Sequence, residues 1–256
     1  MCKMLINISI ILFILMNYGY SQDYKILAEQ FTYEILTTKP TANLYYNRGV
    51  CYYSIDSLDL AKEDYIKSLE LDSTYVDAFY GLGVIYYDRK DYVLAKEYYS
   101  KVLKYDSLYV DAIAGSGDSK IELSEFRSAI VDFSRVIKFK PNDYKVFLNR
   151  GVCFLEIGDI ESAVNDFNKS INIQENSKAL YNIGYCYILK EDFDKAQISL
   201  EKSLSINPDS KYCNYYLALL SFKTNNIIDC CKYLKKADNM PKLENKFGLI
   251  KVCNNE

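Results

Sequence analysis

The stretch VDAFYGLGVIYYDRKDYVLAKEYYSKVLKYDSLY, Val76–Tyr109, decides the fold. Phe79, Leu82, Gly83 and Tyr86 fall at i, i+3, i+4 and i+7, the apolar stripe of an amphipathic helix. Asp88-Arg89-Lys90-Asp91 interrupts the pattern with polar residues, and Tyr92, Ala95, Tyr99 and Val102 then make a second helical stripe. Asp106-Ser107 closes the stretch with turn and capping chemistry. The unit is helix, tight turn, helix. A glycine inside a helix costs about 1 kcal/mol against alanine, so Gly83 asks for a packing reason. Ala95 supplies one, since two helices approach closely where neither carries a bulky side chain.

The unit is copied. Gly49, Gly83, Gly117, Gly151 and Gly184 recur at intervals of 34, 34, 34 and 33, with Ala218 in the next place. Twelve residues after each stand Ala61, Ala95, Ala129, Ala163, Ala196 and Cys230. Two beats in step over six units mark a repeat array, whose units bury their apolar faces on neighbours and present a long surface. The units run 42–75, 76–109, 110–143, 144–176, 177–210 and 211–244.

Phe79-x-x-Leu82-Gly83-x-x-Tyr86, followed by Ala95, Tyr99 and Ser107, resembles the tetratricopeptide repeat. Gly117, Ala129, Phe133 and Pro141, and Ile183-Gly184, Tyr187, Ala196 and Pro208, carry the same resemblance in the third and fifth units. It implies an all-α fold, a right-handed superhelical solenoid of helical hairpins. Arg48 and Arg150 depart from it, standing where leucine is usual, and the sixth unit is weak. Asn-Arg-Gly-Val-Cys occurs identically at 47–51 and 149–153, three periods apart, which suggests an ancestral block of three units. Residues 22–41 read as a capping helix, with Ala28 and Pro40 spaced as in a second helix. Pro241–Asn255 reads as a short final helix with Leu243, Phe247 and Ile250 as its contacts, so that 245–256, beyond the sixth unit, is a tail or capping helix.

Charge and cysteines narrow the setting. Net charge is −3 and the isoelectric point near 5.3, without the basic stripe that nucleic acid demands. Lys3, the apolar run Leu5–Tyr18 and Gly19-Tyr20-Ser21 read as a secretory signal, residues 1–21, cut after Ser21. The route is then export, to a periplasmic or extracellular setting. The same segment also reads as an uncleaved anchor, the one case in which a membrane would be touched. Of the eight cysteines, Cys2 leaves with the signal, and Cys51, Cys153 and Cys186 hold one repeat position. In a straight array those three lie beyond disulfide reach. Cys230–Cys231, Cys213 and Cys253 leave room for one local bridge. The chain has no histidine, and no cysteines are spaced for zinc, so neither metal nor cofactor is expected.

The first helices carry a second stripe that the core does not use: Tyr46, Val50, Tyr53; Tyr80, Val84, Tyr87; Leu148, Val152, Leu155; Tyr181, Tyr185, Ile188; Tyr215, Leu219, Phe222. By the resemblance these positions line a concave groove that holds a segment of another protein. Contact between adjacent units with a partly exposed rim is the alternative. In the third unit the stripe becomes Ala114, Asp118 and Ile121, with Asp111 and Glu122 beside it and Asp77, Asp88 and Glu156 flanking. This suggests a partner with a basic centre and apolar flanks, against the reading of a solvated acidic face. The family's lysine–asparagine clamp for a C-terminal carboxylate is missing, because Tyr46 and Val50 hold its places. Gly115-Ser116-Gly117-Asp118-Ser119 lacks the ending and the strand of a phosphate loop. No catalytic base, nucleophile elbow or small-molecule substrate site is legible. The sequence describes a noncatalytic exported scaffold with a protein or peptide partner, or alternatively a structural subunit joined through its ends.

Overall fold

The computed structural model describes residues 20–237 together with Leu249 and Cys253. Among these residues there are thirteen α-helices and no strand. They are α1 (Tyr20–Thr37), α2 (Ala42–Ser54), α3 (Leu58–Leu71), α4 (Val76–Asp88), α5 (Tyr92–Tyr105), α6 (Val110–Glu122), α7 (Phe126–Phe139), α8 (Tyr144–Glu156), α9 (Ile160–Ile173), α10 (Ser177–Leu189), α11 (Phe193–Ile206), α12 (Lys211–Lys223) and α13 (Ile227–Lys236). The apolar start, residues 1–19, lies outside the described residues, as do Leu243, Phe247 and Ile250. The chain divides into an N-terminal body ending at Leu123 and a C-terminal body beginning at Ser124, within the turn of the third repeat. In the N-terminal body successive helices pack from α1 to α6, and α4 also touches α2 and α6. In the C-terminal body the same scheme runs from α7 to α13, with α10 touching α8 and α12.

One turn is built six times. Asp56, Lys90, Ser124, Gly158, Glu191 and Asn225 all adopt left-handed backbone, with φ from 58° to 81°, at the repeat interval. This closes the first helix: Asp91 N–H reaches back to Tyr86 O at 2.9 Å and Lys90 N–H to Tyr87 O at 2.9 Å, a Schellman pair. The next residue starts the second helix, and the Asp91, Asp159, Asp192 and Asn226 side chains each accept a hydrogen bond from the N–H three residues on. Only one of the six left-handed residues is glycine, so packing of the two helices holds the turn against local preference.

The marker alanines Ala61, Ala95, Ala129, Ala163 and Ala196 are buried completely. The glycines have a further reason beyond the close approach expected from sequence. A Cβ on Gly49 would stand 2.7 Å from the Tyr65 ring, and one on Gly81 2.5 Å from the other edge of that ring. Tyr99 lies likewise between Gly83 and Gly115, at 2.7 and 2.5 Å. Each ring, carried by a second helix, is wedged into slots on two successive first helices. In the C-terminal body Phe167 fills the slot at Gly151 and Leu200 that at Gly184. Gly115 therefore belongs to a helix as a ring slot.

Arg48 and Arg150 are explained by duplicated ion pairs. Arg48 donates from Nε and Nη2 to Asp64 at 2.8 and 2.7 Å, and from Nη1 to Thr32 Oγ1 at 3.1 Å. Arg150 donates to Asp166 at 2.6 and 2.9 Å and to Ser134 Oγ at 2.9 Å. Both guanidinium groups lie between aromatic rings, Tyr45 and Tyr52 in one case and Phe147 and Phe154 in the other. Among the cysteines, Cys231 and Cys253 form a disulfide with Cα atoms 5.5 Å apart, while Cys51, Cys153, Cys186, Cys213 and Cys230 are buried thiols.

Candidate functional site: the tyrosine face of the first helices

In the N-terminal body the second stripe forms a half-exposed surface. Tyr46, Val50 and Tyr53 on α2, and Tyr80, Val84 and Tyr87 on α4, are each neither fully buried nor free. Their rings are held by neighbours from other elements. Tyr46 packs on Tyr75 at 5.3 Å between centroids and on Tyr65 at 5.7 Å; Tyr80 packs on Tyr109 at 5.2 Å and Tyr99 at 5.8 Å. Tyr87 meets Tyr92 edge-on at 5.3 Å. Such pairs prefer offset and tilted arrangements, and each adds about 0.5–1.5 kcal/mol beyond the area it buries.

The carboxylates are interleaved with these rings. Tyr53 donates its hydroxyl to Asp88 at 2.7 Å, and Tyr109 donates to Asp77 at 3.0 Å. Asn43 donates to the Tyr75 hydroxyl at 3.0 Å. Burial first, and then Asp77, pushes the Tyr46 phenol up to about 12. Burial, with Asp118 and Glu122 behind it, does the same to Tyr87, also to about 12. Tyr80 is raised by burial and by Asp111. In the N-terminal body carboxylates and rings thus form a mixed lattice. Each phenol stays neutral near a carboxylate, and Asp77 and Asp88 spend acceptor capacity on holding rings. Asp111 and Glu122 are exposed and Asp118 is half-buried.

The C-terminal body differs. Tyr181 is half-buried and stacks on Tyr212 at 5.6 Å, with burial pushing its phenol up to about 12. Tyr185 is only 9% exposed and Tyr215 only 1%. Both expected surface residues are instead core, in one apolar cluster with Tyr216, Leu217, Leu219, Leu234 and Leu249. The reason is the make-up of α12: Cys213 to Leu220 are all buried, so this helix is enclosed on every side and offers no free stripe. Leu148 is also buried, leaving Val152 and Leu155 at the surface of α8.

Two contributors were not singled out from sequence, Tyr75 and Tyr109, each just before a first helix, and Tyr92 at the start of α5 was read only as part of the second-helix stripe. Tyr75 and Tyr109 are 34 residues apart, so the repeat interval carried the signal. Away from this face, an open cleft of about 420 Å³ lies against α1, lined by Ala28, Thr32, Tyr33, Leu36, Tyr52 and Ile55 among others. Among the described residues no cluster of histidine, cysteine or carboxylate is arranged for a metal, and no helix is long and apolar enough to cross a membrane.

Comparison with known proteins agrees with this geometry. Models of the tetratricopeptide repeat match residues 42–75, 76–107, 144–177 and 177–210. A TPR repeat-containing protein of Methanocaldococcus jannaschii, MJ1428, is 33% identical over 70 residues, which cover 27% of this chain and 12% of that protein. The chain thus spans a small part of that relative. Among solved structures, YrrB, a TPR protein with an unusual peptide-binding site, superposes with a TM-score of 0.66 and 29% identity over 73% of this chain and 96% of that one. Pseudomonas aeruginosa pilF gives 0.64 and 18% over 84% and 95%, and PilW, a type IV pilus biogenesis factor, 0.66 and 16% over 84% and 97%. The last two share the fold alone. With the repeat matched over more than half its length and the same helical hairpin built along it, the chain belongs to the tetratricopeptide repeat family.

Proposed function

We propose that this chain is a noncatalytic exported scaffold that binds a segment of another protein on the tyrosine face of its N-terminal body. One observation carries the reading: Tyr46, Tyr53, Tyr80 and Tyr87 are held in place by ring contacts and carboxylates yet keep part of their surface exposed. Fixed, half-exposed tyrosines offer apolar area at little entropic cost, and the nearby Asp111, Asp118 and Glu122 favour a basic segment. The peptide-binding site of YrrB gives a precedent in a protein of the same fold. In this reading residues 1–21 direct export, α1 caps the N-terminal body, and the repeats of that body supply the surface. A disulfide pair in the C-terminal body fits an oxidising setting.

The test is selection of peptides from a random display library by the chain lacking residues 1–21, beside variants Tyr80→Ala/Tyr87→Ala and Asp118→Lys. Enrichment of peptides that combine lysine or arginine with apolar residues, lost in both variants at unchanged helicity, is the expected result. Binding indifferent to both variants overturns the reading.

The alternative, a structural subunit joined through its ends, draws on α1. Its Ile26, Tyr33 and Leu36 are 55%, 68% and 79% exposed, beside the cleft against Tyr52 and Ile55. Self-association abolished by Tyr33→Glu/Leu36→Glu, with no peptide selected, would place function at that end.

A further inference from the structure

The chain holds arginine in one recurring way. Arg48 lies between the rings of Tyr45 and Tyr52, 5.6 Å from each centroid, and forks onto Asp64. Arg150 lies between Phe147 and Phe154, at 5.8 and 5.6 Å, and forks onto Asp166. Each seat is two aromatic rings and a carboxylate. A guanidinium suits such a place because it is planar, stacks on ring faces, gives up water more readily than an ammonium and meets a carboxylate with two N–H groups.

The tyrosine face brings the same parts together once more. Tyr87, in the last turn of α4, and Tyr92, at the start of α5, meet at 66° with centroids 5.3 Å apart, so the two rings form a corner. Glu122, the last residue of α6, accepts a hydrogen bond from the Tyr92 hydroxyl. Glu122 and Asp118, one turn apart, also raise the Tyr87 phenol after burial has done so, which puts both carboxylates beside that ring. Both rings keep exposed surface, and among the described residues of this body no lysine or arginine lies over either. The C-terminal ends of α4 and α6 add their own partial negative charge. One repeat earlier the corner is not built: Tyr53, the counterpart of Tyr87, gives its hydroxyl to Asp88, and Leu58 stands where Tyr92 does. We propose that the corner of Tyr87 and Tyr92, closed by Glu122 and Asp118, takes the guanidinium of one arginine of the bound segment. This rests on the tyrosine face being a docking face, and it gives the basic residue of that segment a single fixed place, where the second repeat meets the third.

Two measurements decide this. The purified full chain, with its tyrosine rings labelled for NMR, is titrated with N-acetyl-arginine amide and with N-acetyl-citrulline amide, which keeps the shape and lacks the charge. The Tyr87 and Tyr92 ring signals should respond saturably to the first compound alone. Tyr92→Leu, which installs the residue of the first repeat, and Glu122→Gln should each weaken that response about three- to thirty-fold, with the Tyr46 signal unmoved as a check on the fold. Equal response to arginine and citrulline, or a response unchanged in both variants, overturns the site; N-acetyl-lysine amide acting as well as the arginine compound overturns the assignment to a guanidinium. Should Tyr92→Leu disturb Tyr46, Glu122→Gln decides alone. The second measurement takes peptides selected by the chain and exchanges their arginine for citrulline. The loss of affinity should be about tenfold larger on the wild-type chain than on Tyr92→Leu. Peptides that bind without this difference leave the docking face standing and overturn the arginine site. No peptide selected, with the small compound still sensed by Tyr87 and Tyr92, overturns the docking face and supports the site.

Discussion

Arg150 closes a two-pronged contact on Asp166, sixteen residues further on, with its Nε at 2.6 Å from one carboxylate oxygen and its Nη2 at 2.9 Å from the other. The carboxylate is buried and the guanidinium mostly so. Arg150→Ala should therefore cost the C-terminal body about 3–5 kcal/mol, because it strands a buried charge. Arg150→Leu with Asp166→Leu should recover most of that loss, since leucine is the usual occupant where Arg150 stands. Denaturant midpoints of the two variants check the pair of outcomes.

The ring slots make a second case. Tyr65 has glycine on both sides, so a methyl group on Gly81 leaves the ring nowhere to retreat. Gly81→Ala should destabilise by about 1–3 kcal/mol, and Gly83→Leu by at least as much. In a double-mutant cycle with Tyr65→Ala the Gly81 penalty should nearly vanish. A penalty that persists without the ring would mean the helix itself, and not the slot, is at fault.

The repeated turn gives a prediction of opposite sign. Lys90 and Glu191 hold φ of 62° and 58°, a region that disfavours side chains with a Cβ. Lys90→Gly or Glu191→Gly should raise stability by up to about 1 kcal/mol, whereas Gly158→Ala, where φ is 81°, should lower it by a similar amount. Thermal unfolding of the three variants reads the sign directly.

Alkaline titration tests the buried phenols. Unfolded tyrosine loses its proton near 10, while Tyr46, Tyr87 and Tyr181 in the fold hold theirs to about 12. Between those values the unfolded chain binds fewer protons, so stability must fall as pH rises. Below pH 10 both states are protonated and the contribution is whole. Tyrosinate absorbance should thus lag behind that of the urea-unfolded chain, and unfolding should become easier over the same range.

Much of the architecture is written in the 34-residue beat, because a copied packing solution leaves copied small residues. Gly83 and Ala95 announce a close helix crossing. They do not announce that Tyr99 fills the space, since a ring four residues after an alanine looks like any other core position. Arg48 and Arg150 read as departures from pattern, and only the fold brings them against Asp64 and Asp166, each on the following helix. The surface was less legible. The stripe holding Tyr185 and Tyr215 has the same spacing as that holding Tyr46 and Tyr80, but spacing records which way a residue faces and not what lies over it. Tyr215 lies fully buried in a cluster whose members reach as far along the chain as Leu249, more than thirty residues later. The left-handed turns were likewise hidden, because Lys90 and Glu191 carry no conformational signature of the kind glycine would.

The wedged rings also set how the protein comes apart. Tyr65 is carried by one repeat and seated in both that repeat and the next, and Tyr99 repeats the arrangement one step on. No repeat of the N-terminal body owns its core outright, so melting one must withdraw a ring from its neighbour's slot. Unfolding should then travel along the chain as a front, with each ring acting as the spring between adjacent links. A substitution at one slot would be felt most sharply one repeat away, as a widening of the transition in addition to a drop in its midpoint.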